Sequence, residues 1–219
     1  MMISPESFYD NEIKGKSAEE IKKVIAGLKR KINELKRRME HPYYAPTRFP
    51  SEDTVISCYR LYIDRARLAL KQMGESYEPS VTEKRDIEFN NNLQNVNKLV
   101  LELCDFTSWS TVTVKVGDTV RIITENTIPA SPESCVDDNY EIERDDFLER
   151  LGELHMGEWL RHYDTKRFGI YVLDGYNWEL TVEYNNGKRP FVRDGCNCHP
   201  YNFEKLIDTL GIDFSVYLN

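Results

Sequence analysis

Apolar positions along this chain follow two different periods. Ile21, Val24, Ile25, Leu28, Ile32, Leu35 and Met39 recur at three- and four-residue steps, the signature of a helix with one apolar stripe. Ser17-Ala18-Glu19-Glu20 just ahead of them reads as a capping box, in which Ser17 accepts from the amide three residues on and Glu20 reaches back. The run should stop near His41, because Pro42 disfavours helical geometry in the residue before it. A second stripe, Val55, Ile56, Tyr59, Tyr62, Ile63, Ala66, Leu70 and Met73, starts behind an N-cap at Ser51 and closes at Gly74. Two helices of similar length joined by a short segment predict an antiparallel hairpin over residues 1–75.

After Glu75 the pattern changes. Residues 76–95 are polar and asparagine-rich and read as a linker holding a short helix after Ser80. Lys98–Phe106, Trp109–Val116 and Thr119–Asn126 are β-branched or alternating runs, the last two joined by the turn signal Gly117-Asp118. An acidic loop, Thr127–Glu143, leads into a predicted helix over Asp145–Tyr163. Then come Phe168–Leu173, a turn at Asp174-Gly175, Trp178–Tyr184, a turn at Asn186-Gly187, and Pro190–Asp194. A final helix begins near Pro200 and ends at Leu210-Gly211. Residues 96–219 therefore read β-β-β-α-β-β-β-α, an α+β domain with a mainly antiparallel sheet and two helices. Trp109-Ser-Thr-Val-Thr-Val and Trp178-Glu-Leu-Thr-Val-Glu stand at matching places, which raises the prospect of two β3α repeats.

Composition narrows the class. With 219 residues, 40% hydrophobic and 30% charged, the chain reads as an ordinary globular protein. Neither a secretory leader nor an apolar run of membrane-spanning length is evident. Five cysteines, an odd number at irregular spacing, point to reduced thiols and a cytoplasmic setting. Charge is uneven. Residues 1–75 hold 15 Lys and Arg against 11 Asp and Glu, a net of +4, and the remainder holds 14 against 26, a net of −12. An acidic body argues against nucleic-acid binding by the whole protein.

The basic arm has an internal order. Lys22, Lys29 and Lys36 share one heptad position, Lys23, Arg30 and Arg37 the next, so the cations form a stripe beside the apolar seam. Such a stripe is either a docking surface for phosphate or an acidic protein, or a solvated face whose stems cover the seam. The loop from His41 to Pro50 adds three prolines and three aromatic rings. Tyr43, Tyr44 and Phe49 either form a binding tip or fold back over the hairpin end.

Three other constellations invite chemistry. Cys196, Cys198 and His199 could be half of a metal site, but a tetrahedral zinc needs further ligands, and no second Cys/His pair stands at finger-like spacing. A strand end, a turn at Asn197 and a helix started by Pro200 account for the same residues. His155, Glu158 and His162 would lie near one face of the predicted helix, as an acid/base or metal constellation requires, although Leu148, Leu151 and Trp159 share that stripe and make His155 an edge-of-core imidazole. Asp174, Asn177, Trp178 and Asn197 could line a small cleft or serve turns. Gly15-Lys-Ser17 lacks the earlier glycine of a phosphate loop, Asp10 standing there instead. No hydrolase elbow or kinase signature occurs, and no cofactor is called for.

Ser4-Pro-Glu-Ser-Phe-Tyr9, Gly15-Lys-Ser-Ala-Glu-Glu20, Met39-Glu-His-Pro42, Pro50-Ser-Glu-Asp-Thr54, Gly157-Glu-Trp159, Asp174 to Gly187 and Gly195 to Phe203 together resemble an uncharacterised family from gut Firmicutes, over nearly the whole chain. Its members are similar to Gly-Ser-Asn-Ala-Tyr-Pro where this chain has Gly195-Cys-Asn-Cys-His-Pro200. That departure argues against a shared metal role for the thiols. The expectation is a non-enzymatic interaction module that binds a protein partner, or a second copy, through the hairpin. The alternatives are a small-molecule-binding protein or hydrolase with a pocket between sheet and helices, and an acidic mimic of nucleic acid.

Overall fold

A computed structural model describes residues 3–46, 49–104, 109–126, 142–173 and 175–212. The chain divides into two compact units, Met1–Pro79 and Ser80–Asn219.

The first unit is built on α2 (Ala18–Met39) and α3 (Glu52–Gln72). The capping box forms in full: the Ser17 backbone N–H donates to Glu20 Oε2 at 2.8 Å, and the Glu20 amide returns to Ser17 Oγ. Ser51 caps α3 through the Thr54 amide, and Gly74 follows that helix with φ 76°. Ile21, Ile25, Leu28 and Ile32 of α2 are buried, as are Ile56, Ile63, Ala66 and Leu70 of α3. The spacing did not reveal a third component, α1 (Pro5–Phe8) with the π-helical turn Tyr9–Ile13. Phe8 stacks on Tyr62 at 4.4 Å, and the Tyr62 hydroxyl both accepts from the Ile3 amide and donates to the Ile3 carbonyl.

The second unit opens with α4 (Val81–Asn90), capped by a Ser80/Glu83 box. A six-stranded sheet follows. Its strands are β1 (Val96–Cys104), β2 (Trp109–Val116), β3 (Val120–Asn126), β4 (His162–Asp164), β5 (Asn177–Tyr184) and β6 (Phe191–Cys196). The order across the sheet is β3-β2-β1-β5-β6-β4. All pairings are antiparallel except β4 with β6. Alternation sets the faces. Leu99, Leu101 and Leu103, with Val112, Val114, Trp178, Leu180 and Val182, point to one side and form the core with α5 (Arg144–Glu153), α6 (Phe203–Thr209) and Phe89 of α4. The α+β class and the element order β-β-β-α-β-β-β-α are those the sequence predicts.

Two elements differ from expectation. The helix predicted over Asp145–Tyr163 ends at Glu153 with Leu154 as its cap. His155 then takes a left-handed backbone, φ 50° and ψ 43°, before a 3-10 turn over Met156–Glu158. The fourth strand is His162–Asp164, not Phe168–Leu173. Asp164 accepts from the Lys166 amide and starts a 3-10 helix over Thr165–Phe168, which Gly169 closes at φ 74°. That turn takes the chain out of the sheet before residue 168.

The two β3α halves also differ in topology. The first is a plain meander, whereas β4 skips β5 to lie parallel beside β6. Trp109 is 47% exposed and Trp178 2%, so the echoing runs present opposite phases to the core. Among the described residues, no helix is long and apolar enough to cross a membrane.

Candidate functional site

The hairpin surface is set by what its cations and aromatic rings already hold. Lys22 pairs with Glu19 at 3.2 Å and Glu75 at 3.6 Å, and its ammonium pKa is raised, chiefly by Glu19. Lys29 donates to the Tyr77 hydroxyl and lies over that ring. Lys36 is half-buried, whereas Arg30 and Arg37 are exposed. Among the described residues neither Arg30 nor Arg37 forms an ion pair. The stripe read from the heptad therefore divides: its inner row is occupied within the unit, and its outer row faces solvent.

The loop divides in the same way. Glu52 is 2% exposed, and its carboxylate accepts from Arg38 Nη2 at 2.7 Å and from the Tyr44 hydroxyl at 2.9 Å. These bonds fasten the loop to the start of α3, and the helix N-terminus adds a favourable field for the buried charge. Tyr43 is 77% exposed and Phe49 102%. Sequence reasoning grouped the three rings. The structure ties one down and leaves two outside.

The predicted helical constellation is taken apart by the early end of α5. His162 lies on β4, opposite Asp194 of β6, and its Nδ1 bonds the Asp194 carboxylate. His155 and Glu158 stay together, joined by a residue that the sequence did not suggest. Asp86 of α4 is hydrogen-bonded through Oδ2 to His155 Nδ1 at 2.7 Å. Gly157 explains the closeness: a Cβ there would fall 2.3 Å from the Asp86 Cα and 2.6 Å from the Arg85 carbonyl oxygen. Only glycine lets the turn rest directly against the helix backbone. The partners stand 69 positions apart in the sequence, so spacing could not have found Asp86.

The Cys-Asn-Cys-His run leaves the strand and turns at Asn197, as the alternative to a metal half-site expects. β6 ends at Cys196, and Asn197 is left-handed at φ 52°. Asn197 Oδ1 accepts from the Tyr176 amide at 2.9 Å, and its own amide donates to the Tyr176 carbonyl, also at 2.9 Å. Cys198 is buried, and its carbonyl accepts from Trp178 Nε1 at 2.8 Å. The His199 ring stacks on Phe203, and its Nδ1 faces the Pro200 carbonyl at 3.0 Å. Burial lowers the His199 pKa below 6.5 and raises that of the Cys196 thiol, a shift to which the Asp164 carboxylate adds. A thiol held protonated is a poor nucleophile and a poor ligand.

Of the cleft candidates, Trp178 packs in the core between Tyr163 and Phe203, Asn177 is exposed at the head of β5, and Asn197 serves the turn. Asp174 lies outside the described residues. Arg193 of β6 was not singled out. It sits on the covered face opposite Leu180, 3.7 Å over the Phe191 ring, and burial lowers its pKa to about 10, with Arg85 adding to the fall.

Comparisons of the chain with protein-family models, with curated proteins and with solved structures found no match.

Proposed function

We propose that this protein is a non-enzymatic interaction module that docks a protein partner of acidic surface through the loop end and outer face of its helical hairpin. The observation that carries the reading is the loop end itself. Tyr43 and Phe49 are exposed, and Tyr44, which follows Tyr43, is fastened to a buried carboxylate. Aromatic side chains held out by a braced loop offer contact area at low ordering cost, and such rings with arginine are the residues that dominate protein interfaces. Arg37 lies on the last turn of α2, next to this loop, and Arg30 two turns before it. Unpaired arginines favour a partner with exposed carboxylates. The described cysteines are free thiols, which fits a reducing, cytoplasmic setting.

The test is affinity capture from the source cells with two baits, the native chain and a variant carrying R30E, R37E, Y43A and F49A. The reading expects a protein recovered in stoichiometric amount by the first and lost from the second, with binding that weakens as salt is raised. Identical recoveries would refute it. A second copy of the chain as the recovered protein would make the hairpin a self-association surface, detectable as a dimer in light scattering. A retarded band with nucleic acid at low salt would move the ridge to a different partner class.

A further inference from the structure

The joint between α4 and the turn after α5 gathers more ligand chemistry than packing requires. Single donor atoms of Asp86, His155 and Glu158 all lie within 4.8 Å of one another. Asp86 is 7% exposed, and while its Oδ2 meets His155 Nδ1, its Oδ1 is buried without a hydrogen-bond partner. One turn along the same helix, Asn90 Oδ1 is buried and equally unpartnered. Both orphan atoms are acceptors. Buried acceptors are normally satisfied, and a carboxylate oxygen left bare is the costlier case. Arg85, beside Asp86 on the same helix, does not satisfy either atom: its Nε is itself buried without a hydrogen-bond partner, and its Nη2 donates to Thr82.

The backbone holds the three side chains in place at some cost. His155 is left-handed, a conformation that a residue with a side chain keeps only where its surroundings over-determine it. The Gly157 approach fixes α4 against the same turn. We propose that Asp86, His155 and Glu158 bind one divalent transition-metal ion of the zinc type. One imidazole nitrogen and two carboxylate oxygens form a borderline donor set that suits zinc better than magnesium, which prefers oxygen alone. Three protein ligands leave a coordination position for water. The ion replaces the hydrogen bond between His155 Nδ1 and Asp86 Oδ2, whose proton passes to solvent, and it clips α4 to the end of α5. This inference is independent of the docking surface on the hairpin.

The experiment loads the full chain with zinc chloride, removes free metal by gel filtration, and measures zinc by elemental analysis alongside the thermal midpoint. One retained equivalent and a raised midpoint are expected, and magnesium chloride should produce neither. Cobalt(II) substituted for zinc should show ligand-field bands without thiolate charge transfer. Glu158→Gln, which preserves shape, and His155→Asn, which tolerates the left-handed backbone, should each weaken zinc binding by about a hundredfold. Cys196→Ser and Cys198→Ser should leave it unchanged. No retained zinc, a thiolate band, or native affinity in Glu158→Gln would overturn the site. Should His155→Asn fail to fold, the stoichiometry, the cobalt spectrum and the Glu158 variant still decide.

Discussion

Asn197 does two jobs at once. Its backbone occupies the left-handed region, and its side chain accepts the Tyr176 amide. Gly175 leaves room for it, since a Cβ there would fall 1.6 Å from Asn197 Oδ1. Asn197→Ala should therefore cost about 2 kcal/mol in urea unfolding, and Asn197→Gly about half of that, because glycine restores the backbone but not the acceptor. Equal losses would show that the left-handed backbone contributes nothing, and no loss in Asn197→Gly would show that the hydrogen bond contributes nothing. Two residues on, burial holds the His199 imidazole below its ordinary 6.5. Below that pH the unfolded chain binds a proton that the folded chain refuses, so this share of stability is full above 6.5 and is lost as the pH falls towards the lowered folded value. His199→Gln should flatten the acid-side slope of stability measured against pH, and an unchanged slope would contradict the assignment. Residue types alone already mark this segment as a turn, because Asn tolerates positive φ and Pro starts helices. The bond to Tyr176 was not legible, since it joins residues 21 apart.

Among the elements, those with local signals were the readable ones. The Ser17 and Ser51 caps and the Gly74 stop depend on residues within one turn, and each is found where the spacing puts it. The end of α5 carries no such signal. Leu148, Leu151 and Trp159 keep a helical period, yet the chain leaves the helix because α4 packs on Gly157 and draws His155 to Asp86. Here tertiary packing overrides the local pattern. The same holds for β4, three residues that read as a helix end and form a strand only because β6 offers them an edge. For the hairpin loop the structure makes a graded prediction. Tyr44→Phe removes one bond to the buried Glu52 carboxylate and should cost about 1 kcal/mol. Arg38→Met removes the Arg38 guanidinium from that carboxylate and should cost about 2 kcal/mol, tempered by the partial exposure of Arg38. Loss of helical signal on heating measures both, and an effect of Tyr44→Phe larger than that of Arg38→Met would mean that the hydroxyl, rather than the ion pair, holds the loop.

At the scale of the molecule, a net positive arm and a net negative body follow from composition alone, and so does the change of period near Glu75 that separates helices from sheet. Which charges remain available does not follow from composition. Lys22 and Lys29 are spent within their own unit, while Arg30, Arg37, Tyr43 and Phe49 are exposed. The functional proposal rests on that division. It is tested most directly by placing a photo-crosslinking amino acid at position 43, and a control at the exposed Glu149 of α5, in the source cells. The account predicts a discrete adduct with one protein from position 43, lost when Arg30 and Arg37 are reversed in charge, and none from position 149. No adduct at position 43, or the same adducts from both positions, would contradict it.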